Sequence, residues 1–256
     1  MANITAAQVK ELRDMTDSPM MECKKALVEA EGDMDKAVDI LRKNGLAAAA
    51  KKAGRATNEG AIGSYVSEDG KLAALVEVAC ETDFVGTNPK FTGFAAKLAE
   101  HIANTHPADV EALLASDMDG ETVEAALTEL IHVIGENMKI NRFAFRTADH
   151  GACSSYVHMG GKIGVLVEFS FDKPETAQAD AFKTFAHDVA MQVAAVAPIC
   201  ARREDVPAET IEHEMSIYKA QAAESGKPEA IQEKMATGRL EKFFKENTLT
   251  EQPFVK

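Results

Sequence analysis

Ile4, Val9 and Leu12 recur close to the helical period and surround Thr5-x-x-Gln8, a pairing in which hydroxyl and amide satisfy each other's backbone donors. They predict a first helix ending near Met15. Ser18 before Pro19 predicts a cap and a first helical residue for a second helix, which carries Met21, Ala26, Leu27 and Ala30 and stops at Gly32. Asp33 is placed to cap a third, with Ala37, Val38 and Leu41 inward and an end near Gly45. A linker bearing Lys51, Lys52 and Arg55 then leads out of this head.

Beyond residue 58 the apolar period changes to two. Two alternating runs around a glycine-containing turn predict a β-hairpin, and an amphipathic helix follows. The same series occurs twice: GAIGSYVSEDGKLAALVEV from Gly60 and GACSSYVHMGGKIGVLVEF from Gly151 share ten of nineteen residues without a gap. Average composition would give roughly one identity. The offset of 91 holds through FTGFAAKLAEHIA at Phe91 and FKTFAHDVAMQVA at Phe182, and it brings Pro107 onto Pro198. The class predicted is α+β, with two homologous halves.

Asn88-Pro89 predicts the start of the first half's helix, which leaves 81–87 as an exposed connector. A helix over 121–137 joins the halves through Leu127, Leu130, Ile131 and Ile134. After the second half, Ile211, Met215, Tyr218 and Ala222 stripe one helix, and Ile231, Met235 and the Phe243/Phe244 region another. Ser225-Gly226-Lys227-Pro228 turns between them, as in a protruding helical hairpin. The predicted boundaries are 1–54 for the head and linker and 55–147 for the first half. The second half takes 148–200 and is completed by 246–256, with the arm at 201–245.

Charge narrows the functions open to such a chain. The net charge is −13, unevenly spread: residues 1–55 hold ten Lys and Arg against nine Asp and Glu, the rest 18 against 32. So acidic a body repels a phosphate backbone, and no direct nucleic-acid partner is expected. No apolar run approaches a membrane span and the first residues lack the regions of a signal peptide, so a cytoplasmic protein without a membrane partner is expected. Cys23, Cys80, Cys153 and Cys200 are too scattered for a metal or disulfide framework and are expected as reduced thiols. The sequence has no G-x-x-x-x-G-K-[ST] or G-x-G-x-x-G phosphate loop, H-E-x-x-H pair or G-x-S-x-G elbow. No catalytic residue, cofactor or metal is therefore expected, and the chain does not read as an enzyme.

What stands out is Thr82-Asp83-Phe84-Val85 on the predicted connector. A phenylalanine there could fold back into its own core. Under the offset, however, Asp83 and Phe84 match Pro174 and Glu175, so packing common to both halves requires no aromatic at this point. An acid and ring found in one copy alone suit an anchor for a hydrophobic slot on a partner. His158-Met159-Gly160 similarly replaces Ser67-Glu68-Asp69 at the second hairpin turn, where an ordinary solvated turn is the alternative. Leu12, Met20 and Met21 border the first helical turn and suit either core packing or an adaptable surface.

Three short helices in about 45 residues resemble the ubiquitin-associated (UBA-like) fold. ELRDMTDSPMMECKKAL at Glu11 and EVACETDFV at Glu77 resemble two signature stretches of the bacterial elongation factor Ts family. The likeness extends to the linker lysines, Ile134-Gly135-Glu136-Asn137, Ser155-Tyr156-Val157-His158, Ser225-Gly226-Lys227-Pro228 and Gln252-Pro253-Phe254-Val255. Pro19, Ala79 and Gly86 depart from the family pattern. The family also commonly continues past the position of Lys256 through a helix, a strand closing the second half and a C-terminal helical module. The resemblance implies a guanine-nucleotide exchange factor of translation whose partner is elongation factor Tu, GDP-bound and nucleotide-free, in a complex that can be 2:2. It implies that Asp83 and Phe84, flanked by Thr82 and Val85, wedge near the partner's magnesium and phosphate site. Leu12, Met20, Met21 and Lys51 would contact the partner from the head, and Ile134 and His158 from the body. The rival reading is an adaptor whose UBA-like head binds ubiquitin or a peptide without exchange activity.

Overall fold

A computed structural model describes residues 4–256, which form a mixed α/β chain with small antiparallel sheets, consistent with the α+β class. It divides into two compact units, residues 1–183 and 184–256. Among the described residues no helix is long and apolar enough to cross a membrane.

The first unit opens with α1 (Ala6–Thr16), α2 (Met20–Glu29) and α3 (Met34–Lys52). Thr5 and Gln8 form the expected reciprocal cap, and Asp33 accepts from Lys36 N–H at 3.1 Å. The three helices close on Leu12, Cys23, Leu27, Ala37 and Leu41. Two local expectations fail. Pro19 is itself the N-cap of α2 and makes no side-chain cap bond, while Ser18 is buried and turned toward Thr16. α3 does not end near Gly45 but runs on through a string of alanines, the best helix formers, so Lys51 and Lys52 are helical. Gly45 instead faces the side chain of His132, which a β-carbon there would meet at an ordinary contact distance of 3.5 Å.

Next come β1 (Glu59–Val66), β2 (Leu72–Cys80), the four-residue α4 (Asp83–Gly86), α5 (Pro89–Thr105) and α6 (Val110–Ala115). They are followed by a small ladder, β3 (Asp117–Met118) with β4 (Glu121–Thr122), then α7 (Val123–Ile134) and β5 (Met138–Thr147). The sheet order is β1-β2-β5. One face of β2 presents Ala74, Val76, Val78 and Cys80 to Phe91, Leu98 and Ile102 of α5, forming the largest core. α3 packs on α7, where Glu129 lines a groove of about 550 Å³ together with Met15, Leu41 and Leu46. Burial pushes the Glu129 carboxyl above its ordinary range.

The unit also contains the hairpin β6 (Gly151–His158) and β7 (Ile163–Ser170). Ala73, on the other face of β2, meets Cys153 and Leu166 in a separate small core. The contacts between the two hairpins are reciprocal under the offset of 91. Ile62 N–H donates to Gly161 O at 2.8 Å, and its mate Cys153 donates to Gly70 O at 2.7 Å. Lys71 Nζ donates to Gly151 O at 2.8 Å while Lys162 donates to Gly60 O at 3.4 Å, and Ser64 meets its own mate Ser155 at 2.9 Å. Such i-to-j, j-to-i pairing is the mark of an approximate two-fold axis. Gly70 and Gly161 both have positive φ, 69° and 100°, and both face an alanine of the opposite hairpin.

Most of α8 (Asp180–Val196) belongs to the second unit, with α9 (Ala208–Ala223) and α10 (Glu229–Asn247). The last two form the predicted helical hairpin, with Ser225-Gly226-Lys227-Pro228 between them. Its base closes on Val206, Leu240 and Phe244, joined by Ile211, Met215, Tyr218 and Phe243, whereas Ile231 near the tip is exposed. Arg203 braces that base by reaching both Glu241 and Glu251 with its guanidinium 4.6 Å over the Phe244 ring. The buried Gln192 of α8 holds the end of the chain extended, donating to Pro253 O at 3.1 Å and accepting from Val255 N–H at 2.8 Å. All four cysteines are free, and three are buried.

Candidate functional site

Strand β2 delivers the connector from its C-terminal end. Beyond Cys80, whose thiol donates to Thr82 O at 3.1 Å and is pushed up to about 11 chiefly by burial, the chain makes the single turn of α4. Val85 is only 7% exposed and belongs to the main core, and a side chain on Gly86 would press on Gly60 O at 3.3 Å. These two residues anchor the turn from beneath. Asp83 and Phe84 occupy its outer side, and Phe84 is 83% exposed, the highest value among the exposed large apolar residues described. Asn88 then caps α5 by accepting from Lys90 N–H at 2.9 Å, with Pro89 as the first helical residue, which fixes the far end of the connector. At the equivalent position of the second hairpin, 174–178 is a 3-10 turn with Glu175 exposed and no aromatic.

The near end of the connector is clasped by the turn between α7 and β5. Gly135, at φ 89°, ends α7 in the left-handed conformation and turns Glu136 back toward β2. The two carboxylate oxygens of Glu136 accept from Thr82 N–H at 3.0 Å and from Thr82 Oγ1 at 2.6 Å. In return Glu81 accepts from Asn137 N–H at 2.5 Å and pairs with Arg55 at 3.4 Å. The buried Asn137 amide donates to Arg55 O at 2.8 Å and to Ala53 O at 3.4 Å. The head linker, the connector and the α7–β5 turn therefore share one hydrogen-bonded cluster.

The structure separates the remaining sequence-predicted contact residues into two sets. Met20 and Met21 are exposed at 50% and 63%, Lys51 is exposed, and Met15 and Leu46, which periodicity did not single out, are exposed on the same head. Ile134 is half-buried against the main core. His158 is exposed at the end of β6, where Tyr156 Oη lies 2.8 Å from its Nδ1, and Val157, Met159 and Ile163 make the surrounding hairpin tip apolar. Leu12 and Val85 are corrections. Leu12 is fully enclosed by the three-helix core and Val85 by the β2–α5 core, so neither offers a surface to another molecule. Thr82 is half-buried with hydroxyl and amide both committed to Glu136, which makes it a root of the connector and not part of its exposed tip.

This arrangement can press one aromatic ring and one carboxylate, on a braced turn, into a surface that receives them. A family model described as Elongation factor TS matches residues 81–256. Curated relatives called Elongation factor Ts include that of Trichlorobacter lovleyi, 50% identical over 256 residues, covering 99% of this chain and 82% of the relative. That of Clostridium perfringens is 50% identical over 254 residues, with 99% and 82% covered, and that of Azoarcus sp. is 51% identical over 256 residues, with 100% and 83% covered.

Proposed function

The chain belongs to the elongation factor Ts family, and from that premise we propose that it is a guanine-nucleotide exchange factor that binds elongation factor Tu and promotes GDP release. Asp83 and Phe84 enter the partner beside the magnesium and phosphate end of its nucleotide site. The observation that carries this reading is the Phe84 ring, 83% exposed on a turn whose next residue, Val85, is locked into the core. A ring so placed can be driven into a neighbour without unfolding its own support.

A wedge is needed because adhesion elsewhere would leave GDP where it is. A site of nanomolar affinity holds its ligand by about 12 kcal/mol, and a protein weakens that grip only by binding the distorted, nucleotide-free state better than the GDP state. Linkage is reciprocal, so whatever factor is taken from the affinity for GDP, GDP takes from the affinity for the factor. One ring supplies part of that difference. The rest comes from anchorage: a UBA-like head presenting Met20, Met21 and Lys51, with Ile134 and the His158 hairpin tip on the body. Each of these residues except the half-buried Ile134 is exposed. The two duplicated hairpins serve as the frame that sets these contacts apart. The protein uses no catalytic residue or cofactor in this role and acts in the cytoplasm by contact alone.

The test is the rate at which labelled GDP leaves elongation factor Tu when unlabelled nucleotide is in excess. Release is expected to accelerate with the concentration of this protein and to saturate. A rate that does not change with its concentration would falsify the proposal.

A further inference from the structure

Glu136 and Asn137 have no part in the contacts assigned above, yet they hold the root of the connector. α4 is a single turn, too short to be stable as an isolated helix. Thr82 occupies its N-cap position but makes no side-chain capping bond to it, and its hydroxyl donates to Glu136 instead. Within the turn Gly86 N–H donates to Thr82 O and Thr87 N–H to Asp83 O, each at 3.2 Å, and from outside it the root is held by two bonds to one carboxylate reached across 54 positions of sequence. Hydrogen bonds to an ionised carboxylate are shorter and stronger than neutral ones and fix orientation as well as distance. Val85 restrains the same turn from below but does so through nondirectional packing.

We infer that Glu136 is a positioning residue for Phe84, acting through Thr82, and that Asn137 couples this clasp to the linker of the head. The second part follows from the cluster's outer ring: Asn137 donates to two linker carbonyls, Arg55 O and Ala53 O, while its own N–H engages Glu81, the residue next to Thr82. The head linker is thereby bonded to the same cluster that holds the root of the ring. The inference rests on the exchange reading given above.

The experiment measures labelled-GDP release from elongation factor Tu over a range of factor concentrations, separating the saturating rate from the half-saturating concentration. It uses the full chain, E136A, E136Q, F84A and the double variant E136A/F84A. E136A is expected to lower the saturating rate about tenfold, with the half-saturating concentration within about twofold, because the surfaces that dock are untouched. E136Q, which retains an acceptor for one of the two bonds, is expected between E136A and the unaltered protein. With Phe84 removed there is no ring left to aim, so E136A/F84A should release GDP no more slowly than F84A alone. A merely structural role would instead multiply the two losses. Multiplied losses, or an E136A saturating rate equal to that of the unaltered protein, overturn the inference while the exchange reading stands. If F84A also matches the unaltered protein, it is the exchange reading that fails. Should E136A not fold, E136Q and E136Q/F84A carry the same comparison.

Discussion

Replacing Phe84 by alanine isolates the proposed wedge from the rest of the surface. A phenylalanine side chain buries about 150–250 Å² when it is enclosed, and at 83% exposure nearly all of that remains to be covered by a partner. At about 25 cal/mol per Å² this comes to about 3–5 kcal/mol. The retained β-carbon and the ordering of the ring on docking reduce this to about 2–3 kcal/mol. At about 1.4 kcal/mol per factor of ten, F84A should slow stimulated GDP release by about 30- to 140-fold. The fold should be indifferent to the change, because the ring makes almost no contact within its own chain, and the melting temperature is expected to stay within about 1 °C. Stopped-flow release of a fluorescent GDP analogue, paired with a thermal melt, reads both quantities. F84L, which keeps an apolar group of similar reach, should recover much of the rate. Release within about twofold of the unaltered protein at an unchanged melting temperature would refute the reasoning.

Two further expectations concern the frame. Gly161→Ala places a β-carbon 2.9 Å from Ala61 Cβ at φ 100°, whereas the mate substitution Gly70→Ala places one 3.3 Å from Ala152 Cβ at φ 69°, within the ordinary left-handed region. The first should destabilise by about 2–4 kcal/mol and the second by about 1–2 kcal/mol, so urea midpoints that fall equally would contradict the packing described. Glu129→Gln removes a carboxyl whose folded pKa is raised by burial, partly countered by His132. The folded state then holds the proton more tightly than the unfolded one. Wild-type stability from this group is full below its ordinary pKa of 4.5 and is lost as pH rises through the folded value. The variant should therefore melt higher than the unaltered protein at pH 7, with the gap narrowing toward pH 4, and a gap that widens on acidification would show the sign to be wrong.

The parts of this fold legible in the sequence are those fixed by local chemistry. Thr5-x-x-Gln8, Asp33 and Asn88-Pro89 start their helices where expected because a cap depends on neighbours a few residues away. The exposure of Phe84 was open to inference only because the repeat supplied a second copy without the ring. β5 escaped for a definable reason: its register slips at a bulge opposite Glu77 and Val78. Its inward residues are Met138 and Ile140 before the slip and Phe143 and Phe145 after it, so the alternation changes phase within ten residues and reads as noise. α3 ran past Gly45 because the alanines that follow carry the helix on. Leu12 and Val85 looked like parts of contact motifs, but each lies on the inward face of its own helix. The clasp of Glu136 on Thr82 joins two loops that become neighbours only once β2 and β5 have paired, and no local signal marks it.

The reciprocity of the two hairpins has a consequence for how a one-sided device can exist at all. Two separate identical chains meeting around the same axis would have to alter both copies of every loop together, because each substitution would appear twice. Covalent linkage of the halves removes that constraint, so one corner can carry an aromatic ring while its counterpart has Pro174 and Glu175. The matched bonds along the seam, Ile62 with Gly161 and Cys153 with Gly70, hold the geometry on which both corners depend. Asymmetry of purpose is confined to the rim of a body whose middle remains symmetric.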